Sequence, residues 1–509
     1  MTGTGPAELD HKPIIRGTAM LMVGNVVGQM IALLGLLVLA RIYGPTSLGL
    51  WSTFVAYGAI IPFFAGFHYD LGIVIADNER DAVRMAILAI LVTALVTFAF
   101  LVASQLFFLL HNTMDWGILR DPGRWSQLAL GYVPYTLGFG VYNAAIAWGM
   151  RNRSFLWMMC TRISIPSVTF ILQYALQNYT FMDNGLIFGT VVTFVILFVW
   201  SAWFLHKPLI DLFRSGEPIW SRVKTLAIEQ HGYPLYAVPR SIIFNCMSQL
   251  MIIVVGLFHT MAVVGAFSMA YRAMYAPMVL LGTSLGQALF PSLSEFKSSM
   301  HKVEEQITVA LRFIGWAYMP VMAFILLYGR ETFSLVFGQK WEMAGFYAGY
   351  LTMALFGSAI TLWLERIFDI MNRQKLHLVL AVVLNLFSIA AYMFTYWLTR
   401  DADKMIFVWS ASMLAYAVIW LSVVYHICGF RQRSLICVWL EFTALALALT
   451  LGATWCAELD SFTARLASFA ALFSAYGVVL WLALHKKLDG YFVRRKAPAI
   501  VNDPEAARV

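Results

Sequence analysis

The sequence predicts an all-α polytopic membrane protein of about fourteen transmembrane helices, built as two parallel six-helix lobes with two further helices toward the C-terminus. Composition is the first reason. Of 509 residues, 61% are hydrophobic and 12% are charged, against about 45–50% and 25% in soluble domains. So few charges cannot coat a water-soluble globule, and the bilayer must solvate most of the surface. Span length is the second reason. Crossing a hydrocarbon core of about 30 Å takes about 20 residues, and Met85–Leu110 and Met405–Phe430 are each 26 residues without Asp, Glu, Lys or Arg.

Taken in order, the spans fall at about 17–40, 47–75, 85–110, 127–150, 154–178, 183–205, 233–258, 261–291, 307–338, 343–371, 376–398, 405–428, 435–457 and 463–485. The first is too long for a signal-peptide core and ends in Arg41-Ile42-Tyr43 without a small-residue cleavage site, so it is expected to stay as a helix. Internal prolines at 62, 134, 166, 239, 277 and 320 are compatible with membrane helices, where neighbours re-satisfy freed backbone groups.

Orientation follows from the positive-inside rule. Fourteen spans place both ends on one side, and the loops and tail of that side carry 23 Lys and Arg against eight opposite. Both termini are therefore expected in the cytoplasm. The net charge of +8 is scattered between apolar stretches rather than gathered on one face, which argues against nucleic acid as a partner. Five cysteines, odd in number and without CxxC spacing, suggest neither a disulfide framework nor structural zinc.

The longest connection, 206–232, alternates apolar and basic residues on a helical period and reads as an interfacial helix linking the lobes. The expected divisions are 1–205 for the N-terminal lobe, 206–232 for this cytoplasmic linker and 233–428 for the C-terminal lobe. Residues 429–485 hold helices thirteen and fourteen, and 486–509 form a basic cytoplasmic tail. An internal repeat supports the lobes: Leu48-Gly49-Leu50-Trp51-Ser52 and Val264-Gly265-Ala266-Phe267-Ser268 match at an offset of 216 residues. An offset holding six spans gives both copies the same orientation, as in transporters with parallel repeats and a midplane site between the halves.

Charges inside the spans nominate site residues, since each costs about 2.5–3.5 kcal/mol on insertion scales unless it meets water or a partner. Arg272 is eleven residues into span eight, roughly 16 Å deep. Arg162 in span five, with Arg240 and Arg16 nearer the cytoplasmic surface, could join it in a cationic cavity; the alternative is snorkelling or pairing with carbonyls. Asp70, after His68 and Tyr69 in span two, either binds a coupling cation or proton or pairs with an Arg across the halves. Glu365, Arg366, Asp369 and Arg373 read as a structural charge ladder at the end of span ten. Asn25, Gln29, Asn143, Asn245, Gln249 and Gln287 suit sugar hydroxyls or helix–helix hydrogen bonds. No phosphate-binding loop, His-Glu-x-x-His or Gly-x-Ser-x-Gly occurs, and the short external loops offer little scaffold, so an enzyme is not expected.

Three stretches carry a family resemblance. Leu39-Ala40-Arg41-Ile42-Tyr43-Gly44-Pro45-Thr46-Ser47-Leu48-Gly49-Leu50 resembles the start of Wzx-type polysaccharide flippases, members of the multidrug, oligosaccharidyl-lipid and polysaccharide exporter superfamily. So does Val264-Gly265-Ala266-Phe267-Ser268-Met269-Ala270-Tyr271-Arg272 with Gln287-Ala288-Leu289-Phe290-Pro291-Ser292-Leu293-Ser294, which is also similar to the matching helix of lipid II flippases. Leu335-Val336-Phe337-Gly338-Gln339-Lys340-Trp341 resembles the family's loop after span nine.

The resemblance implies a bacterial inner-membrane exporter of undecaprenyl-pyrophosphate-linked oligosaccharide for O-antigen, capsule or exopolysaccharide. No cofactor is implied; the drive would be a Na+ or H+ gradient or the membrane potential, and the partners a polysaccharide polymerase and a chain-length regulator. Arg272 matches the position that meets the pyrophosphate in lipid II flippases, and Arg16 and Arg41 lie near first-helix arginine positions. Many Wzx proteins have twelve spans and lipid II flippases fourteen. Two rivals remain: a multidrug cation exporter of the same superfamily, favoured by a net acidic cavity around Asp70, and a polytopic glycan polymerase or ligase, favoured by a large external loop.

Overall fold

The structure, a computed structural model, describes residues 12–114, 122–178, 184–275, 300–365, 367–371 and 373–457, with the single positions 278, 468 and 474. Its described residues form helices and turns, with no strand. The helices are α1 (Lys12–Ile42), α2 (Pro45–Phe64), α3 (Asp70–Ile75), α4 (Glu79–Met114), α5 (Pro122–Arg151), α6 (Phe155–Ala175), α7 (Gly185–Arg214) and α8 (Ile219–Glu229). They continue with α9 (Val238–Phe258), α10 (residues 261–275), α11 (Met300–Phe337), α12 (Glu342–Thr361), α13 (Ile367–Ile370), α14 (Gln374–Thr399), α15 (Ala402–Ile427) and α16 (Gln432–Ala457). Nine described helices are long and apolar enough to cross a membrane, or ten if the bent run through α2 and α3 is one span. The expected fourteenth span and the second half of the eighth lie outside the described residues.

Lipid is the solvent these helices are built for. Leu95, Phe98, Val199, Phe387, Trp397, Leu440 and Leu451 are exposed apolar side chains on helix exteriors. Many hydroxyls within the spans bond back to their own helix, as Thr53 does to the Gly49 carbonyl and Thr97 to that of Thr93, which pairs them without water.

Glycine sets the closest contacts. Along α1, Gly17, Gly24, Gly28 and Gly35 face Phe155, Met159, Arg162 and Phe170 of α6, so the two helices run parallel with little between their backbones. A tighter crossing joins α2 to α10. A Cβ on Gly49 would run into the carbonyl of Met261, and one on Gly265 into the carbonyl of Pro45. Pro45 and Met261 are themselves separated by 216 residues, the offset of the repeat. Each copy of the repeat thus touches the other through the same atoms in exchanged roles, which is the contact pattern of a two-fold axis.

The remaining helices pack into two groups. In the N-terminal group α1 lies on α6, α6 and α5 on α7, and α4 on α5; in the C-terminal group α11 lies on α12, α12 on α15, α15 on α14, and α16 on α11. Arg312 of α11 makes a two-pronged ion pair with Glu441 of α16 at 2.9 and 2.7 Å, and Ser434 of α16 bonds Glu304. The groups meet through α2 with α9 and α10, and through α1 with α11.

Three departures from the sequence reading have local causes. Span two is interrupted: a 3-10 turn at Ala65–His68 separates α2 from α3, with Gly66, Phe67 and His68 at positive φ. Span ten gives way to a 3-10 turn at Leu362–Leu364 and the single turn α13, and Arg373 sits ahead of α14. The charges of the expected ladder therefore do not share one continuous helix; Arg366 lies outside the described residues. Span six runs on to Arg214 despite Pro208, so the connection narrows to α8. That helix buries Val223 and Leu226, exposes Trp220 and Ile228, and is clipped to the head of α4 by Arg222 on Asp81 at 3.0 Å and by Glu217 on Arg80 and Arg84.

The α2–α10 crossing is directly testable. Gly49→Ala or Gly265→Ala forces two backbones apart and is expected to cost about 1–3 kcal/mol, seen as a lower thermal midpoint in detergent. Gly44→Ala, with nothing within 4 Å of its Cβ, should leave the midpoint in place; equal behaviour of all three variants would contradict the crossing.

Candidate functional site

A buried charge lies on the seam between the two groups. Arg272 extends from α10, and its guanidinium carbon stacks 4.2 Å from the centroid of the Trp51 ring on α2. Trp51 is fixed in turn: its indole N–H donates to the Thr190 hydroxyl of α7 at 2.8 Å. Thr190 also accepts from the Gln173 amide of α6 at 3.1 Å, and the Gln173 carbonyl accepts from the Tyr43 hydroxyl at 2.7 Å. A chain of neutral groups thus holds a flat aromatic face under a cation carried by the other helix group.

What Arg272 lacks is as informative. Among the described residues no carboxylate lies within ion-pair range of it, and its buried Nε has no hydrogen-bond partner. An aromatic face attracts a guanidinium without neutralising it and leaves its donors in the ring plane free. Aromatic stacks run through both helix groups on either side of the seam. Phe267, Tyr271 and Tyr275 stack along α10 at helical spacing, with Trp409 edge-on to Phe267. On the facing side Phe54 stacks on Tyr132 at 4.4 Å, and Tyr135 lies in electrostatic reach of Arg272. Glu365, beyond α12, lies in electrostatic reach of Tyr275 and Tyr416.

The other sequence candidates are distributed differently. Arg162 on α6 donates to the Asn25 side chain of α1 at 2.5 Å, on the glycine-lined α1–α6 face. Arg16 and Arg240 fall in α1 and α9, and their side chains lie outside the described residues. Gln287 also lies outside them. Asp70 opens α3 directly after the break, its carboxylate 4.0 Å from the His68 imidazole, both half-buried. Its ion-pair neighbour is that imidazole, and among the described residues no pairing of Asp70 with Arg272 is present. Arg151 closes α3 by donating to the carbonyls of Ile73, Val74 and Ala76, and Tyr69 reaches the Ala227 carbonyl of α8.

Trp51, Thr190 and Gln173 are site residues that sequence reasoning passed over. Trp51 stood inside the repeat motif, and a mid-span tryptophan needs a partner for its N–H; Thr190 and Gln173 show themselves only once α6 and α7 are placed beside α2. The described residues hold no group of three or more His, Cys, Asp or Glu able to bind a metal.

This arrangement sits on a known architecture. The lipid II flippase MurJ, in its inward closed conformation, matches with a TM-score of 0.68 and 11% identity, over 92% of this chain and 99% of that one. An inward-facing multidrug resistance transporter of the MATE family, MOP superfamily, matches with a TM-score of 0.54 and 14% identity, over 84% of this chain and 98% of that one. No curated protein sequence matches. A multi-pass membrane protein with the MurJ and MATE fold is the class so defined. Residues 38–345 match the family described as polysaccharide biosynthesis protein, and the chain belongs to that family.

The stack predicts a coupling energy. In a double-mutant cycle of Trp51→Leu and Arg272→Met, read from unfolding in detergent, the two should interact by about 0.5–2 kcal/mol. Strictly additive effects would show that the ring does not hold the cation.

Proposed function

We propose that the chain is a flippase for undecaprenyl-pyrophosphate-linked oligosaccharide, moving it across the bacterial inner membrane for surface polysaccharide assembly. The observation that carries this reading is Arg272: a buried cation with no carboxylate in ion-pair range among the described residues, stacked on an aromatic face at the seam. A counter-ion arriving with the substrate would complete it, and a diphosphate matches the paired donors of a guanidinium. The tyrosines and tryptophan nearby suit the apolar faces of sugar rings, while the lipid tail stays in the bilayer. Membership of the polysaccharide biosynthesis family and the MurJ-like fold support the same reading.

In this account residues 1–205 and 233–428 are the two rocking lobes, 206–232 their linker, 429–485 an accessory pair of helices and 486–509 a cytoplasmic tail. Both termini are cytoplasmic, and the end of the bundle carrying Arg41 faces the periplasm. Arg16, Arg240 and Arg162 guide the diphosphate from the cytoplasmic side toward Arg272. Asp70, beside His68 at the interruption of span two, is the coupling site for Na+ or H+. A polysaccharide polymerase and a chain-length regulator act on the exported product. The drug-exporter alternative calls for a net acidic cavity around Asp70, whose carboxylate lies beside the His68 imidazole.

Complementation of surface polysaccharide in a deletion strain tests the assignment, with membrane protein level as control. Arg272→Ala should abolish export. Arg272→Lys should be intermediate, keeping the charge and losing the fork geometry. Normal export by a normally produced alanine variant would remove the diphosphate role from Arg272.

A further inference from the structure

The last carbonyls of a helix have no donor within the helix. At the Arg41 end of the molecule, α1 and α11 solve this for one another. Arg41, in the last turn of α1, donates from Nη2 to the Leu335 and Val336 carbonyls in the last turn of α11, at 3.0 and 2.7 Å. In return Lys340 Nζ donates to the Arg41 carbonyl at 3.0 Å, and the indole of Trp341 donates to the Ala40 carbonyl at 2.8 Å. Gly338, at φ 108°, makes the turn that brings Lys340 and Trp341 back onto α1. Trp341 is fully buried, while Arg41 and Lys340 stay exposed at the rim.

All four bonds cross between the two helix groups, joining residues about 300 positions apart in sequence. The α2–α10 glycine crossing lies at the same end, next to Pro45 and Met261. The seam is therefore stitched where Arg41 sits, and two of the three donor side chains are cations that now rest on uncharged acceptors.

We propose that Arg41 and Lys340 form a substrate-keyed outer gate and exit site: the two cations hold the seam shut on helix carbonyls and transfer to an outgoing diphosphate, whose approach opens it. A charged phosphate oxygen is a stronger acceptor than a peptide carbonyl, so an anionic head group competes for both donors at once. A neutral or cationic molecule does not, and the empty protein stays sealed. The inference rests on the anionic-substrate reading above, in which Arg272 receives the diphosphate at the midplane and the Arg41 end faces the periplasm.

Spin labels on Cys at positions 174 and 397, exposed sites on the two helix groups near this end, report the opening by their separation. The protein is full-length, in lipid nanodiscs, with its native cysteines replaced. Farnesyl diphosphate is the probe and farnesol its uncharged control. Without ligand the distance should be short; farnesyl diphosphate should move the population to longer distances, and farnesol should not. Arg41→Met with Lys340→Met should be long from the start and unresponsive, whereas the exchange Arg41→Lys with Lys340→Arg, keeping two cations, should close and respond. A methionine pair that stays short and still opens with farnesyl diphosphate would overturn the gate. A methionine pair standing open beside an unaltered protein that ignores farnesyl diphosphate would overturn the substrate key, and the diphosphate reading with it.

Discussion

A backbone N–H or C=O buried in hydrocarbon has no water to fall back on, and leaving one unpaired costs several kcal/mol. Most of this molecule can be understood as a way of meeting that requirement. It makes the spans helical, turns serine and threonine hydroxyls back onto their own helices, and confines irregular backbone to places packed in protein. The interruption of span two illustrates the last point: three consecutive residues at positive φ are enclosed by α4 and α5, and Arg151 takes up the carbonyls released at the end of α3. At the ends of α1 and α11 the same requirement is met across the seam, which converts a capping problem into a contact between the two halves.

Within such a framework a charge with no carboxylate partner among the described residues stands out. Arg272 is carried by one helix group and supported by the other, on a ring that is itself braced by Thr190 and Gln173. In the proposed reading the neutral brace matters because a carboxylate in its place would occupy the guanidinium assigned to a phosphate. The glycine crossing, with Gly49 two residues from Trp51, holds α2 and α10 close enough for the stack to form.

Much of this was legible in the sequence. Apolar run lengths set the helices, and the 216-residue offset pointed to the pair of segments that cross through Gly49 and Gly265. Arg272 was recognisable from depth alone, since charge and distance from the span end are both local properties. Trp51, Thr190 and Gln173 were not, because three separate helices must be placed before their hydrogen bonds exist. The caps made by Arg41, Lys340 and Trp341 were hidden for a similar reason: capping rules look a few residues along the chain, and these donors come from about 300 residues away. Span two read as continuous because a single Gly66 in an apolar run is ordinary in a membrane helix, while Phe67 and His68 follow it into a conformation neither residue favours.

The central claim is that the seam carries an anionic, lipid-linked substrate. Purified protein in sealed proteoliposomes, loaded with undecaprenyl-diphosphate-linked oligosaccharide in one leaflet, tests it most directly through lectin capture of the glycan in the other. The account predicts translocation that is absent from empty vesicles and lost with Arg272→Ala, and no uptake of a quaternary ammonium drug under the same ion gradients. Drug uptake without glycan movement would contradict it.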